Sequence, residues 1–266
     1  MKNLLILLIA LTTVSCGAQN RKEQAENKQP NVVFFLVDDL GWKDLGYRGS
    51  DFYETPEIDK IANESMRFNQ AYAAHPRCVP SRYAMITGQF PARFGSPGRG
   101  ESQLKKSEFT IAESFKEAGY TTFFAGKWHL AGAEVYPEDQ GFDYNYGGGH
   151  AGAPRSYFQP YNERKNGNKG NGKEKFIQGL DDAEEGYYLT DHLTDKTVDF
   201  IKSNKDKPFF VYLSHYGVHT PFESKEELKN KYDEKLANSP ESAAPEFIIV
   251  GDTGQTKTTQ DNITYA

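Results

Sequence analysis

Apolar residues run unbroken from Val32 to Val37, and the acidic pair Asp38-Asp39 follows at the end of the run. Continuous β-branched and aromatic residues suit a strand covered on both faces in a parallel sheet, so residues 31–37 are predicted to form one. Thr55-Pro56 sets a cap residue and a first-turn proline before Ile58, Ile61 and Ala62, which recur at helical spacing. Thr110-Ile111-Ala112-Glu113 reads as a capping box, with Phe115 and Ala118 on one face and Gly119 as the stop. A strand over 121–125 comes next. Residues 188–203 place Leu189, Leu193, Thr197 and Phe200-Ile201 at helical spacing, Pro208 introduces a strand over 209–213, and Ser224-Lys225-Glu226-Glu227 reads as the cap of a further helix. Strands alternating with helices predict an α/β fold with a mainly parallel mixed sheet flanked by helices. Such sheets bind ligands beyond the carboxyl ends of their strands, where Asp38-Asp39 would stand.

The amino terminus follows a different pattern. Lys2 precedes an apolar run over 4–11, and then comes Thr12-Thr13-Val14-Ser15-Cys16-Gly17. The run is too short to span a bilayer, which takes about 20 residues, and it reads as an export signal. A small residue directly before Cys16 resembles the lipobox of bacterial lipoproteins. That resemblance implies a signal peptide over 1–16, acylation of Cys16 as the sole membrane attachment, and a periplasmic or outer-membrane location; an ordinary cleaved signal peptide is the alternative. Residues 17–29 are polar and charged, as in a flexible tether, and 30–266 form the folded part. Within it, 162–175 is rich in Asn, Gly and Lys and reads as a surface loop or insertion.

A chain of 266 residues can bury a substantial core, and its net charge of -6 lacks the basic footprint of a nucleic-acid binder. The chain has 2 cysteines. With Cys16 acylated, Cys78 has no disulfide partner, so it is either buried and inert or kept for chemistry.

Chemistry concentrates at four places. Cys78-Val79-Pro80-Ser81-Arg82 continues through Tyr83-Ala84-Met85-Ile86-Thr87-Gly88. Pro80 suits a first helical turn, whose unpaired amides and dipole favour an anion, and Arg82 one turn on adds directional charged donors. The adjacent carboxylates of Asp38 and Asp39 are ionised at neutral pH and repel unless a cation lies between them. Gly126-Lys127-Trp128-His129-Leu130 directly follows the strand at 121–125, and His219-Thr220-Pro221 follows the strand at 209–213. Singly, these are a solvated acidic loop, a buried cysteine and structural histidines. Their common placement at strand ends selects the functional reading.

The eleven residues from Cys78 to Gly88 resemble the signature of type I sulfatases, in the alkaline-phosphatase-like superfamily. Asp38-Asp39, Gly126-Lys127-Trp128-His129 and His219-Thr220-Pro221 match further motifs of that family. The resemblance implies that a formylglycine-generating or anaerobic sulfatase-maturing enzyme converts Cys78 to formylglycine (3-oxoalanine), whose hydrate attacks the sulfur of a sulfate ester. It implies calcium bound by Asp38, Asp39 and an oxygen of modified Cys78. Arg82 would hold the aldehyde hydrate or a sulfate oxygen and Lys127 a sulfate oxygen. His129 would deprotonate the second hydroxyl to expel sulfate, and His219 would protonate the departing alcohol or bind sulfate. The implied substrate is a sulfated carbohydrate or another sulfate ester, and the aromatic run Tyr157-Phe158-Gln159-Pro160-Tyr161 either stacks on sugar rings or belongs to the core.

Calcium takes about six to eight oxygens, more than these residues supply. In the family the remaining ligands follow a long helix and a later strand. Residues 260–266 read as the approach to such a helix, so the domain is expected to be incomplete at its carboxyl end. Phe247-Ile248-Ile249-Val250 leading into Gly251-Asp252 imitates the missing motif, which leaves Asp252 as a minor candidate ligand. Phosphoester or phosphonate hydrolysis on the same fold, and a truncated inactive lipoprotein, are the alternative readings.

Overall fold

In chain order the elements are β1 (Val32–Val37), α1 (Pro56–Glu64), α2 (Cys78–Thr87), α3 (Ile111–Glu117), β2 (Thr121–Gly126), β3 (Tyr144–Tyr146), α4 (Leu189–Asn204), β4 (Phe209–His215) and α5 (Glu226–Ala237). The computed structural model describes residues 29–94, 104–130, 135–163 and 177–238, with the backbone of 247–249 and 255–257. The expectations for Cys16, Asp252, residues 260–266 and most of 162–175 fall outside the described residues. The strands lie in the order β1-β4-β2-β3, every pairing parallel, while Phe247–Ile249 and Gln255–Lys257 pair as a separate antiparallel ribbon. No helix among the described residues is long and apolar enough to cross a membrane.

Local signals set most of these elements. The Thr110 hydroxyl accepts from the Glu113 amide at 3.3 Å while the Glu113 carboxylate accepts from the Thr110 amide at 2.8 Å, so the capping box forms as predicted. Thr55 does precede α1, but its hydroxyl donates to Asp59 at 2.8 Å and accepts from the Gly46 amide at 2.9 Å, so it ties the helix to the preceding loop. Ser224 does not cap α5: the cap position is Lys225, with no side-chain capping bond, and the Ser224 hydroxyl is buried without a partner among the described residues.

Side chains alternate between the two faces of a strand. From β2 and β4, Phe123, Ala125, Phe209, Val211 and Leu213 pack with Leu189, Leu193 and Phe200 of α4. Phe124, Phe210 and Tyr212 face the other way, against Tyr83 and Ile86 of α2 and Ala112 of α3. All seven residues of β4 are buried. β1 corrects the expectation of two covered faces. Val32, Phe34 and Leu36 pack on the α2–α3 side, whereas Val33 and Phe35 are 50% and 54% exposed, because β1 has a paired neighbour on one edge alone among the described residues and α4 covers the central strands.

Beside that open face lies a cavity of ≈ 360 Å³ lined by Phe35, Val37, Tyr53, His215, Leu228 and Tyr232 among others. His215 Nδ1 is buried without a hydrogen-bond partner among the described residues, and burial pushes this imidazole's pKa down to about 4. An unfolded histidine titrates near about 6.5, so between these values the unfolded chain binds more protons than the folded one. The stability contribution is therefore complete above the unfolded value and is lost as pH falls toward the folded one, by about 3 kcal/mol. Urea unfolding at about pH 7.5 and about pH 4.5 is expected to reveal this loss, and His215→Phe, which keeps a ring against Phe35, should reduce it. Equal acid losses in both proteins would remove His215 as the cause.

Candidate active site

Parallel pairing brings three strand ends to one edge of the sheet. Val37 lies in register with His215, and Gly126 with Ser214, so the residues following β1, β2 and β4 emerge side by side. Gly126 permits the closest approach. Its φ is +105°, and a Cβ there would sit 1.8 Å from the Ser214 carbonyl oxygen, so only glycine lets β2 turn out of the sheet at this point. Asp39 and His129 adopt φ of 59° and 58°, in the left-handed region that such residues seldom occupy. Strain of this kind gathers at functional sites.

Asp38, 6% exposed, is held by two cations. Arg82 Nη2 donates to Asp38 Oδ1 at 2.8 Å, and the Lys127 ammonium donates to Asp38 Oδ2. Arg82 Nη1 also donates to the Lys127 carbonyl at 2.6 Å and to Ser214 Oγ at 2.7 Å. Burial works against ionisation of Asp38, but Arg82 and Lys127 outweigh it and keep its pKa below the ordinary carboxylate value. Cys78 is the first residue of α2, and Arg82 lies one turn further on, which places the two on the same face of the helix. Both cations assigned to sulfate or the aldehyde hydrate thus bind a carboxylate in this structure.

His129 follows Lys127 by two residues. Burial first, then the charges of Lys127 and Arg82, push its pKa down to about 4, so the imidazole is neutral at physiological pH and free to accept a proton. Its ring packs on Gly152, where a Cβ would come within 2.6 Å of it, and its amide donates to the Gly149 carbonyl at 3.2 Å. His219 Nε2 stands 3.6 Å from Asp39 Oδ2, and its Nδ1 lies 2.9 Å from the Thr220 carbonyl. A carbonyl accepts only, so Nδ1 carries a hydrogen, and Nε2 is the nitrogen left to give or take a proton on the Asp39 side.

Ligand atoms of Asp38, Asp39 and His219 all lie within 4.8 Å of one another. Two carboxylates suit a hard dication such as calcium in kind, though they provide only part of its about six to eight oxygens. Cys78 is not among this group. Arg82 Nε and His129 Nδ1 are buried without hydrogen-bond partners among the described residues, so polar capacity remains for a bound group.

The structure brings together Asp38, Arg82 and Lys127, and Asp39 with His219. It adds Ser214 and Gly152, which the sequence reading missed. Ser214 is a small hydroxyl side chain directly after an apolar run, and Gly152 belongs to a glycine-rich stretch, so each carried a faint signal. Of the histidines left unassigned by motif, His75 is half-buried and accepts from the Arg77 amide at 3.0 Å, and His150 Nε2 meets the Tyr136 hydroxyl at 3.0 Å.

Paired carboxylates, two fixed cations and two histidines at the strand ends of a parallel sheet define an α/β protein whose site lies beyond the carboxyl edge of that sheet. Within it, residues 30–265 match the sulfatase family model, and the chain belongs to the sulfatase family. It is 30% identical to N-acetylgalactosamine-6-sulfatase of Mus musculus, over 97% of this chain and 52% of the relative. It is also 30% identical to the N-acetylgalactosamine-6-O-sulfatase of Bacteroides thetaiotaomicron, over 83% of this chain and 55% of the relative. The crystal structure of Ps i-CgsB in complex with k-i-k-neocarrahexaose shares 34% identity and superposes with a TM-score of 0.62 over 77% of this chain and 48% of that one. The chain spans about half the length of the curated relatives it matches.

Proposed function

We propose that this protein hydrolyses sulfate esters of carbohydrates, with a 6-sulfated N-acetylhexosamine as the preferred substrate class, at the edge formed by β1, β2, β4 and the start of α2. One observation carries the reading: Asp38, Arg82, Lys127, His129 and His219 converge from four separate segments on one sheet edge, one of them the helix that begins at Cys78, in a chain of the sulfatase family. The sugar class follows from the names of the relatives.

Calcium, held by Asp38 and Asp39, would supply positive charge toward a sulfate oxygen, and formylglycine at position 78 would supply the attacking hydroxyl. The first turn of α2 offers unpaired amides to the anion. Lys127 and Arg82 keep Asp38 ionised and offset charge that grows on the sulfate oxygens. With formylglycine in place, neutral His129 would accept a proton from the hydroxyl side of residue 78, and His219 would deliver one to the departing alcohol from Nε2 when that nitrogen also carries a hydrogen. Export and lipid attachment at Cys16 belong to the same proposal and rest on the leader pattern alone.

The test is coexpression with a maturation enzyme, followed by weighing the tryptic peptide that contains residue 78 and by assay of sulfate release. N-acetylgalactosamine 6-sulfate is expected to be cleaved, and the peptide is expected to carry the aldehyde mass. A purely thiol peptide together with no release from 6-sulfated N-acetylhexosamines or an aryl sulfate would overturn the proposal.

A further inference from the structure

Tyr157 belongs to the aromatic run that the sequence left between a sugar platform and a core element. The structure buries it to 1% exposure, which excludes stacking on a sugar, yet both of its hydrogen-bonding ends reach the segment that carries His219. The Tyr157 hydroxyl donates to the His219 carbonyl at 2.7 Å, and the Tyr157 amide donates to Glu223 Oε2 at 2.7 Å. Ser156 Oγ donates to the same Glu223 oxygen at 2.9 Å, and the Tyr188 hydroxyl donates to the Glu223 carbonyl at 3.1 Å.

The other side of this segment is tied to the carboxylate pair. The Asp38 amide donates to the Gly217 carbonyl at 2.8 Å, and the Val218 amide donates to the Asp38 carbonyl at 2.7 Å. Residues 217–223 are thus strung between the end of β1 and the Ser156-Tyr157 pair. The His219 ring forms its own hydrogen bonds locally, with Thr220, and faces Asp39 at 3.6 Å. Its placement is consequently set through its backbone, and the tyrosine hydroxyl is the donor that grips that backbone. Burial raises the pKa of this phenol, so it is protonated at neutral pH and donates.

We propose that Tyr157 and Glu223 are positioning residues that hold His219 Nε2 where it serves the leaving alcohol. The catalytic meaning of the placement rests on the sulfatase reading above; the placement itself does not. Tyr157→Phe removes one hydroxyl and keeps the buried ring, and Glu223→Gln keeps the size of the side chain while weakening its grip on Ser156 and the Tyr157 amide.

A misplaced proton donor matters most when the leaving group is a poor one. Tyr157→Phe is therefore expected to lower kcat on a sugar 6-sulfate about tenfold, with KM nearly constant, and to change kcat on 4-nitrophenyl sulfate by less than about twofold, because a nitrophenolate leaves without a proton. Glu223→Gln should follow the same pattern. Equal losses on both substrates in step with a lowered melting temperature would mean a structural role alone and overturn the proposal.

A second measurement stands apart from activity. In nitrogen-15 spectra of the histidine rings, with His219 identified through His219→Asn, Tyr157→Phe should shift the His219 signal and leave that of His192, which is bonded to Tyr161, in place. An unmoved His219 signal defeats the positioning role even in an active enzyme. If the matured wild type cleaves neither substrate, the functional reading fails, and the spectra still decide whether Tyr157 places His219.

Discussion

Arg82→Ala is expected to cost the fold about 3–5 kcal/mol, the penalty for removing one partner of a buried ion pair. The carboxylate left behind is 6% exposed and would retain Lys127 as its single cation. The same change takes the donor from Ser214 Oγ and the Lys127 carbonyl, which joins β2 to β4 at the site. Lysine is not expected to rescue the variant, because a single ammonium cannot reproduce a planar fork that serves three acceptors. The deficit should depend on pH in a defined direction. Since the folded-state pKa of Asp38 is depressed, its contribution is present above the ordinary carboxylate value and is lost as pH falls through the folded one, so wild type and variant should converge in strong acid. Urea unfolding at neutral pH decides the matter, and a difference below about 1 kcal/mol would mean that Asp38 does not rely on the arginine.

Cys78→Ala should act in the opposite way, on chemistry and hardly on the fold. The residue is half-buried at the first position of α2, where neither its side chain nor a cap bond anchors the helix, so stability should change by less than about 1 kcal/mol. If Cys78 supplies the nucleophile as proposed, its loss is expected to reduce sulfate release by about 10⁴-fold or more, since the remaining groups would only bind and polarise the ester. The assay is single-substrate hydrolysis by protein matured in the same cells. Retention of more than about a hundredth of the wild-type rate would show that another group attacks sulfur.

The two variants separate what local sequence encodes from what it does not. A capping box needs only Thr110 and Glu113 three residues apart, and it forms as written because both bonds close within one turn. The strand at 209–213 is equally legible, since an unbroken apolar run suits a strand buried on both faces, and β4 proves to be one of the two interior strands of the sheet. The same pattern misled at β1. Val33 and Phe35 carry the composition of a covered strand, but exposure depends on which elements pack beside the strand, and α4 packs on β4 and β2.

At the site, the chain order and residue types placed each acid, cation and histidine at a strand end or helix start. Those assignments depend on spacing alone, which is a local property of the chain. Partnership is different. Arg82 meets Asp38 across 44 residues and Ser214 across 132, and Tyr157 reaches His219 across 62. Such contacts come into being only when parallel pairing sets the strand order and close packing of the two faces fixes where each side chain ends. By itself the sequence determined the α/β elements and the chemical inventory of the sheet edge. Only the tertiary structure decided that Arg82 and Lys127 share one buried carboxylate, and that a buried tyrosine grips the backbone of His219, because desolvation makes each buried polar group settle on whichever partner the fold brings within reach.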